Sequence, residues 1–119
     1  MNDFSFKELI VWQKGMDFAS GCMNVSKGVG GHYRLMEQLE AAAASVPQNI
    51  AEGDGRLSLK ETIHYLYIAR GSLFESVTLL NLLHRQQMIE SNTLTQLESL
   101  GIEIVKMLNS LIAAKRKFD

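Results

Sequence analysis

The sequence places a glutamate and a histidine three residues apart, a spacing that can bind a metal ion on a helix. Glu61 and His64 form an E-x-x-H pair, which supplies part of the di-iron site in ferritin-like four-helix bundles. A complete site needs a second such pair and two further glutamates. His32 follows glycines and His84 has Asn81 three residues before it, so the sequence has no second pair. We therefore expect no metal site.

No arrangement of nucleophile and base stands out either. Cys22 is the only cysteine, and no histidine or other base lies near it in the sequence, so a packing role is favoured. Small helical ribonucleases of the toxin type use a shorter arginine-to-histidine spacing than the seven residues between Arg56 and His64. The sequence therefore predicts a protein without catalytic or cofactor-binding residues.

The charges favour neither strong nucleic-acid binding nor membrane binding. The net charge is −1, from 12 Lys/Arg and 13 Asp/Glu, which gives no strong attraction to a polyanion. The two halves differ: residues 1–55 carry four basic and seven acidic side chains, and residues 56–119 carry eight basic and six acidic ones. Any contact with nucleic acid would depend on local basic groups. The candidates are Arg34, Arg56, Lys106, Lys115, Arg116 and Lys117.

The sequence predicts a cytoplasmic protein with no membrane partner. A single cysteine fits a reducing compartment. No apolar run approaches the roughly 20 residues that a membrane span needs. The first residues also lack the basic, apolar and small-residue regions of a signal peptide.

Turn residues cluster at only three places, which leaves four segments with helical periodicity. These segments span about 4–27, 33–51, 58–87 and 91–117, and in the first of them one face contains Leu9, Trp12, Met16, Ala19 and Met23. Short connections predict an all-α, antiparallel up-down-up-down four-helix bundle, formed as a single domain by residues 1–119. Ser58 and Glu61 have the spacing of a capping box at the start of the third helix.

The third segment carries two apolar stripes instead of one. A small monomeric bundle needs one buried face per helix, so a second face predicts contact with another subunit. The predicted oligomer interface is the second stripe, with Ser72 and Ser76 between its members: Tyr65, Ile68, Leu79 and Leu83.

The stretch 45–56, SVPQNIAEGDGR, is a polar elbow that contains the only proline. Pro47 predicts a kink in the second helix, and Asn49 can bond the backbone groups that the kink frees. A glutamate at the negative end of a helix is unfavourable unless it is paired, so we expect Glu52 to be buried and paired with a donor from the third segment. Gly53 or Gly55 is expected to adopt a positive φ. The elbow is therefore predicted to be architectural.

Three motifs in order resemble one family. They are LIVWQK in residues 9–14, the elbow with its S-V-P-x-N-I-A-E-G-x-G-R pattern, and IARGSL in residues 68–73. Together they resemble the four-helix bundle proteins called 23S rRNA-intervening sequence proteins, a family that includes the accessory variability proteins of diversity-generating retroelements. The resemblance spans about residues 4–83.

The resemblance implies a four-helix bundle assembled as a ring-shaped homopentamer without enzymatic activity. The accessory proteins bind a reverse transcriptase and nucleic acid through a basic surface, so RNA, DNA or a reverse transcriptase is an implied partner. Glu40 and Ala41 stand where the family commonly has two arginines, so at most weak nucleic-acid binding is implied. We expect a non-catalytic accessory or scaffold protein of a nucleoprotein complex, with a purely protein-binding scaffold as the alternative.

Overall fold

The residues that the structure describes form four α-helices, as predicted. The structure is a computed structural model that describes residues 3–118, so residues 1, 2 and 119 of the predicted domain lie outside the described residues. A short 3₁₀ helix, Ser5–Glu8, precedes the bundle, and no strand occurs within the described range. The four helices are α1 (Ile10–Gly28), α2 (Tyr33–Asp54), α3 (Leu59–Arg85) and α4 (Ser91–Arg116).

The helices pack in the order in which they occur along the chain. α1 packs on α2, α2 on α3, and α3 on α4, while α4 closes the bundle against α1. Among the described residues, the backbones of the diagonal pairs α1–α3 and α2–α4 do not come within 8 Å of each other, Cα to Cα, so the helices occupy the corners of a square. The body measures 46 × 26 × 22 Å. Its long sides therefore each expose one pair of adjacent helices.

The first helix is shorter than predicted, and only part of its predicted face is buried, since Ala19 lies in the core whereas Met16 and Met23 do not. The chain is extended at Leu9, which ends the 3₁₀ helix and precedes α1. The core contains Val11, Phe18 and Cys22, whereas Met16 and Met23 are 42% and 44% exposed. The predicted line of apolar residues exists, but it forms one flank of the helix. Apolar residues next to a buried face extend the stripe that periodicity detects, so the pattern alone does not locate its centre.

The predicted oligomer stripe on α3 is wrong for two of its four residues. Leu79 and Leu83 are 6% and 0% exposed and belong to the core of this one chain. The flank of α3 that carries them faces α2, because Ser72 on the same flank lies 2.7 Å from Ser45 of α2, Oγ to Oγ. Ile68 is 37% exposed, and Tyr65 is half-buried. Leu79 and Leu83 are covered within the same chain, so these two residues give no evidence of another subunit.

Candidate functional site

The elbow is joined to the rest of the bundle by a network of polar side chains. Pro47 is buried inside the continuous helix α2. Two residues later, Asn49 donates through Nδ2 to the carbonyl oxygen and to Oγ of Ser45, both at 2.8 Å. The Ser45 hydroxyl in turn pairs with that of Ser72 on α3. Asn49 does bond local backbone, but it reaches the carbonyl of Ser45 and not that of Ala43, four residues before Pro47, which lacks the proline amide as a donor. Ser72 links this network to the next helix.

Gly53 lies where α2 and α3 approach each other most closely in the elbow. A Cβ at this position would lie 3.2 Å from Cβ of Tyr65 and 3.3 Å from the carbonyl oxygen of Thr62. Thr62 Oγ1 also donates to the Gly53 carbonyl at 2.9 Å. The expected positive φ is wrong, because Gly53 is helical and Gly55 has φ −85°. The glycine at 53 is needed for helix proximity, not for a left-handed turn.

The expectation that Glu52 is buried is also wrong. Its side chain is 57% exposed, and its partner is Arg56 in the elbow itself, with Nη2 at 2.8 Å from Oε2. The same Nη2 donates to the Tyr65 hydroxyl at 2.9 Å, and the guanidinium lies 4.7 Å from the centroid of that ring. The hydrogen bond that Arg56 donates to Glu52, together with the field of Tyr65, raises the pKa of Arg56. Arg56 therefore connects the end of α2 to α3 at the surface.

Replacing Glu52 with glutamine should change stability little. The carboxylate is solvated, and exposed ion pairs contribute about 0–1 kcal/mol. We expect a decrease in the free energy of unfolding of less than about 1 kcal/mol, measured by urea denaturation. Arg56→Gln is the matched variant, because it also removes the contact with Tyr65. A large loss for Glu52→Gln alone would contradict the exposed position of this carboxylate.

A second cluster of polar and aromatic residues joins α3 to the end of α4. The guanidinium carbons of Arg70 and Arg116 lie 4.7 and 5.2 Å from the ring centroid of Tyr67. Nη1 of Arg70 donates to Oδ1 of Asn109 at 2.7 Å, which fixes its orientation. Within residues 3–118, neither arginine has a carboxylate within ion-pair distance. We call Tyr67, Arg70 and Arg116 the arginine–tyrosine cluster.

Among the other predicted basic contacts, Arg34 lies apart, whereas Arg56 and Lys115 line one pocket at the elbow end of the bundle. Arg34 lies in the first turn of α2, at the opposite end of that helix from the elbow, and Arg56 is occupied by Glu52 and Tyr65. Lys115 is half-buried in a pocket between the ends of the helices, and Lys117 is exposed beyond α4. Of the six candidates, only Arg116 belongs to the arginine–tyrosine cluster. The sequence analysis missed Tyr67 and Arg70 as site residues, although their i, i+3 spacing places them on one face of α3.

The residues first considered for chemistry are not assembled into a reactive centre. Cys22 is fully buried, and this burial raises the pKa of its thiol to about 12, so the thiol stays protonated near neutral pH. Glu61 and His64 are exposed. Between residues 3 and 118, no group of three or more His, Cys, Asp or Glu side chains is placed to hold a metal ion.

None of the helices described is long and apolar enough to cross a bilayer.

An apolar groove runs along the surface between α3 and α4. Its volume is about 560 Å³, and Glu98 and Lys106 are its charged members. Glu98 is engaged by Asn81, whose Nδ2 donates to it at 2.8 Å. We call this feature the α3–α4 groove, and its apolar lining comprises Leu73, Phe74, Val77, Gly101, Ile102 and Val105.

Comparison with known proteins places the chain in a family. Residues 7–110 match the family described as 23S rRNA-intervening sequence protein. The chain belongs to this family. The match covers α1, α2 and α3 and most of α4, so it includes the elbow, the arginine–tyrosine cluster except Arg116, and the α3–α4 groove.

A solved structure supports the fold of this family member. This chain is similar to the crystal structure of a protein of unknown function from the S23 ribosomal protein family of Bacteroides thetaiotaomicron. The TM-score is 0.80 and the sequence identity is 26%. The alignment covers 87% of this chain and 98% of that one. A search of curated proteins finds no significant match. The four-helix arrangement is therefore shared with an experimentally determined structure.

Proposed function

We propose that this protein is a non-catalytic accessory subunit of a nucleoprotein complex. The protein itself forms a homo-oligomer and binds nucleic acid weakly. The family description refers to 23S rRNA, and the similar structure comes from a family named for a ribosomal protein. Both names are consistent with a role beside RNA. The proposal places the assembly in the cytoplasm, where a single cysteine stays reduced.

The observation that carries the nucleic-acid part is the arginine–tyrosine cluster. Arg70 and Arg116 contact one ring, so their guanidinium carbons lie within about 10 Å of each other, close to one Debye length at physiological salt. Two positive charges at this distance repel each other when no anion lies between them. Arginine is suited to phosphate because its planar donors match phosphate oxygens, and Asn109 holds Arg70 in place. A nucleic-acid backbone would supply the missing negative charge.

Removing both arginines should therefore weaken nucleic-acid binding. We expect Arg70→Gln combined with Arg116→Gln to reduce affinity for a fluorescent single-stranded RNA by about tenfold or more at low salt. The slope of log K against log salt should fall by about 1.4, since each of the two lost phosphate contacts with a single strand contributes roughly 0.7. Fluorescence anisotropy titrations at several salt concentrations measure both effects.

The matched control removes two exposed cations elsewhere. Lys27→Gln combined with Arg34→Gln changes the net charge equally but lies at the other end of the bundle. Equal losses for both double variants would show diffuse attraction without a site. If the native protein fails to bind RNA or DNA even at low salt, the nucleic-acid part is wrong. The purely protein-binding scaffold, which the α3–α4 groove favours, is then the better proposal.

Self-assembly is supported by the apolar side chains that remain in solvent. Phe74 and Ile102 are 53% and 55% exposed beside the α3–α4 groove, and Met16 and Met23 are exposed on α1. Exposed large apolar side chains that line one groove, as Phe74 and Ile102 do, are typical of interaction sites. We propose the homopentamer that the family resemblance implies. Light scattering on dilute protein measures its mass, and a monomer mass would contradict self-assembly.

A further inference from the structure

A small cavity opens at the elbow end of the bundle. Residues at the start of α1 and α3 and at the end of α2 and α4 line it, so all four helices contribute. Its volume is about 200 Å³, and its floor is formed by the buried core side chains Val11, Ile50 and Leu66. We call this feature the elbow-end cavity. A cavity between the helices of a bundle is a common place for a small ligand.

The elbow-end cavity carries two opposite charges that are not neutralised by other side chains. The Asp54 carboxylate accepts a hydrogen bond from Ser5 Oγ at 2.9 Å, and this neutral partner leaves its charge uncompensated. The Lys115 ammonium group belongs to a half-buried side chain. Within residues 3–118, neither group has an opposite charge at ion-pair distance. Arg56, the remaining charged member of the lining, is already paired with Glu52.

The apolar part of the lining reaches from the core to solvent. Leu9 and Leu111 are half-buried, and Leu57 is completely exposed although it is a large apolar side chain. A ligand with an apolar body would cover this surface and remove it from water, which is favourable. Benzene occupies an apolar cavity of about 150 Å³ in another protein, so a cavity of about 200 Å³ can hold a branched or aromatic side chain.

We propose that the elbow-end cavity binds a free α-amino acid with an apolar side chain, of the size of leucine or phenylalanine. The ammonium group of the ligand pairs with Asp54, its carboxylate pairs with Lys115, and its side chain packs on the core residues of the floor. Both contacts are charge-assisted hydrogen bonds, which are stronger than neutral ones. A simple anion or a simple amine would neutralise only one of the two charges. No residue of the arginine–tyrosine cluster lines this cavity, so the inference goes beyond the proposed function.

Ligands that each lack one group of leucine test this assignment. Isocaproate lacks the ammonium group, isoamylamine lacks the carboxylate, and glycine lacks the apolar side chain. We expect saturable binding of L-leucine by isothermal titration calorimetry. Each of the other three ligands should bind at least about tenfold more weakly, because a hydrogen bond between charged groups or the burial of a leucine side chain contributes that much.

Variants of the two charged residues show which ligand group each of them contacts. Lys115→Gln should weaken leucine binding about tenfold and remove most of the preference for leucine over isoamylamine, because the carboxylate then has no partner. Asp54→Asn should remove the preference for leucine over isocaproate in the same way. Neither side chain belongs to the core, so we expect both proteins to stay helical by circular dichroism.

Lys117→Gln is the matched control, because it removes the same charge from an exposed residue that does not line the cavity. We expect it to bind leucine as the native protein does. The assignment is wrong if leucine does not bind saturably at millimolar concentration, or if isocaproate binds as tightly as leucine. Equal weakening by Lys115→Gln and Lys117→Gln would also contradict it. The proposed nucleic-acid binding would stand in each of these cases, because it depends on the arginine–tyrosine cluster.

Discussion

The replacement of Leu83 with lysine should unfold the protomer. Leu83 is completely buried, so the new ammonium group would lie in the core with no acidic partner supplied by the substitution. We expect the free energy of unfolding to fall by at least about 3 kcal/mol, which is a large part of the stability of a domain this size. The melting temperature should fall by at least about 10 °C. Thermal unfolding followed by circular dichroism measures the effect.

Ile68→Lys is the matched control for this substitution. Ile68 belonged to the same predicted interface stripe, but it is 37% exposed, so a lysine there can extend into water. We expect it to change stability by less than about 1 kcal/mol. If Leu83→Lys leaves the protomer folded and only dissociates the oligomer, the assignment of Leu83 to the core of one chain is wrong.

The second large effect is expected from Gly53→Val. The valine Cβ would approach Tyr65 and the Thr62 backbone to 3.2–3.3 Å, and its two methyl groups would need still more room. To relieve the contact, α2 and α3 must separate, which strains the hydrogen bond from Thr62 to the Gly53 carbonyl. We expect a loss of about 2–3 kcal/mol, measured by urea denaturation.

Gly55→Val isolates the steric cause of this loss. A Cβ at Gly55 meets its nearest neighbour, the carbonyl oxygen of Glu52, at an ordinary distance of 3.8 Å. The backbone there has φ −85°, which any residue adopts. We expect its effect to stay within about 0.5 kcal/mol. Equal destabilisation by both valines would show that glycine is required for turn flexibility and not for helix proximity.

The sequence predicted the four helices correctly, but it predicted less well which face of each helix is buried. The three turn clusters located four helices, and the capping role of Ser58 was confirmed by the hydrogen bond from the Glu61 amide at 3.1 Å. Periodicity identifies which residues are apolar but not which neighbour covers them. In a square bundle each helix contacts two others, so a broad apolar arc on α3 is buried within one chain. This geometry explains the error at Leu79 and Leu83.

The candidate site was predictable only where it is local. Asn49 and Ser45 are four residues apart on one helix, and their hydrogen bond follows from that spacing. Arg116 meets Tyr67 because α4 runs antiparallel to α3 in one register, and no local pattern encodes that register. Similarly, Glu52 is paired as expected, but its partner is Arg56 in the elbow itself, and the carboxylate remains exposed. Long-range pairing is therefore the part of the site that required a structure.

The cyclic order of helix packing has a consequence for folding kinetics. Three of the four helix–helix boundaries join helices that are consecutive in the chain, and only the α1–α4 boundary joins distant ones. Contacts between consecutive helices close short loops, so they incur little loop entropy and form early. We expect the chain to fold in microseconds to milliseconds, as helical domains of low contact order do. Docking of α4 on α1 would complete the native state last. At this boundary Lys14 Nζ lies 3.4 Å from Glu103 Oε2.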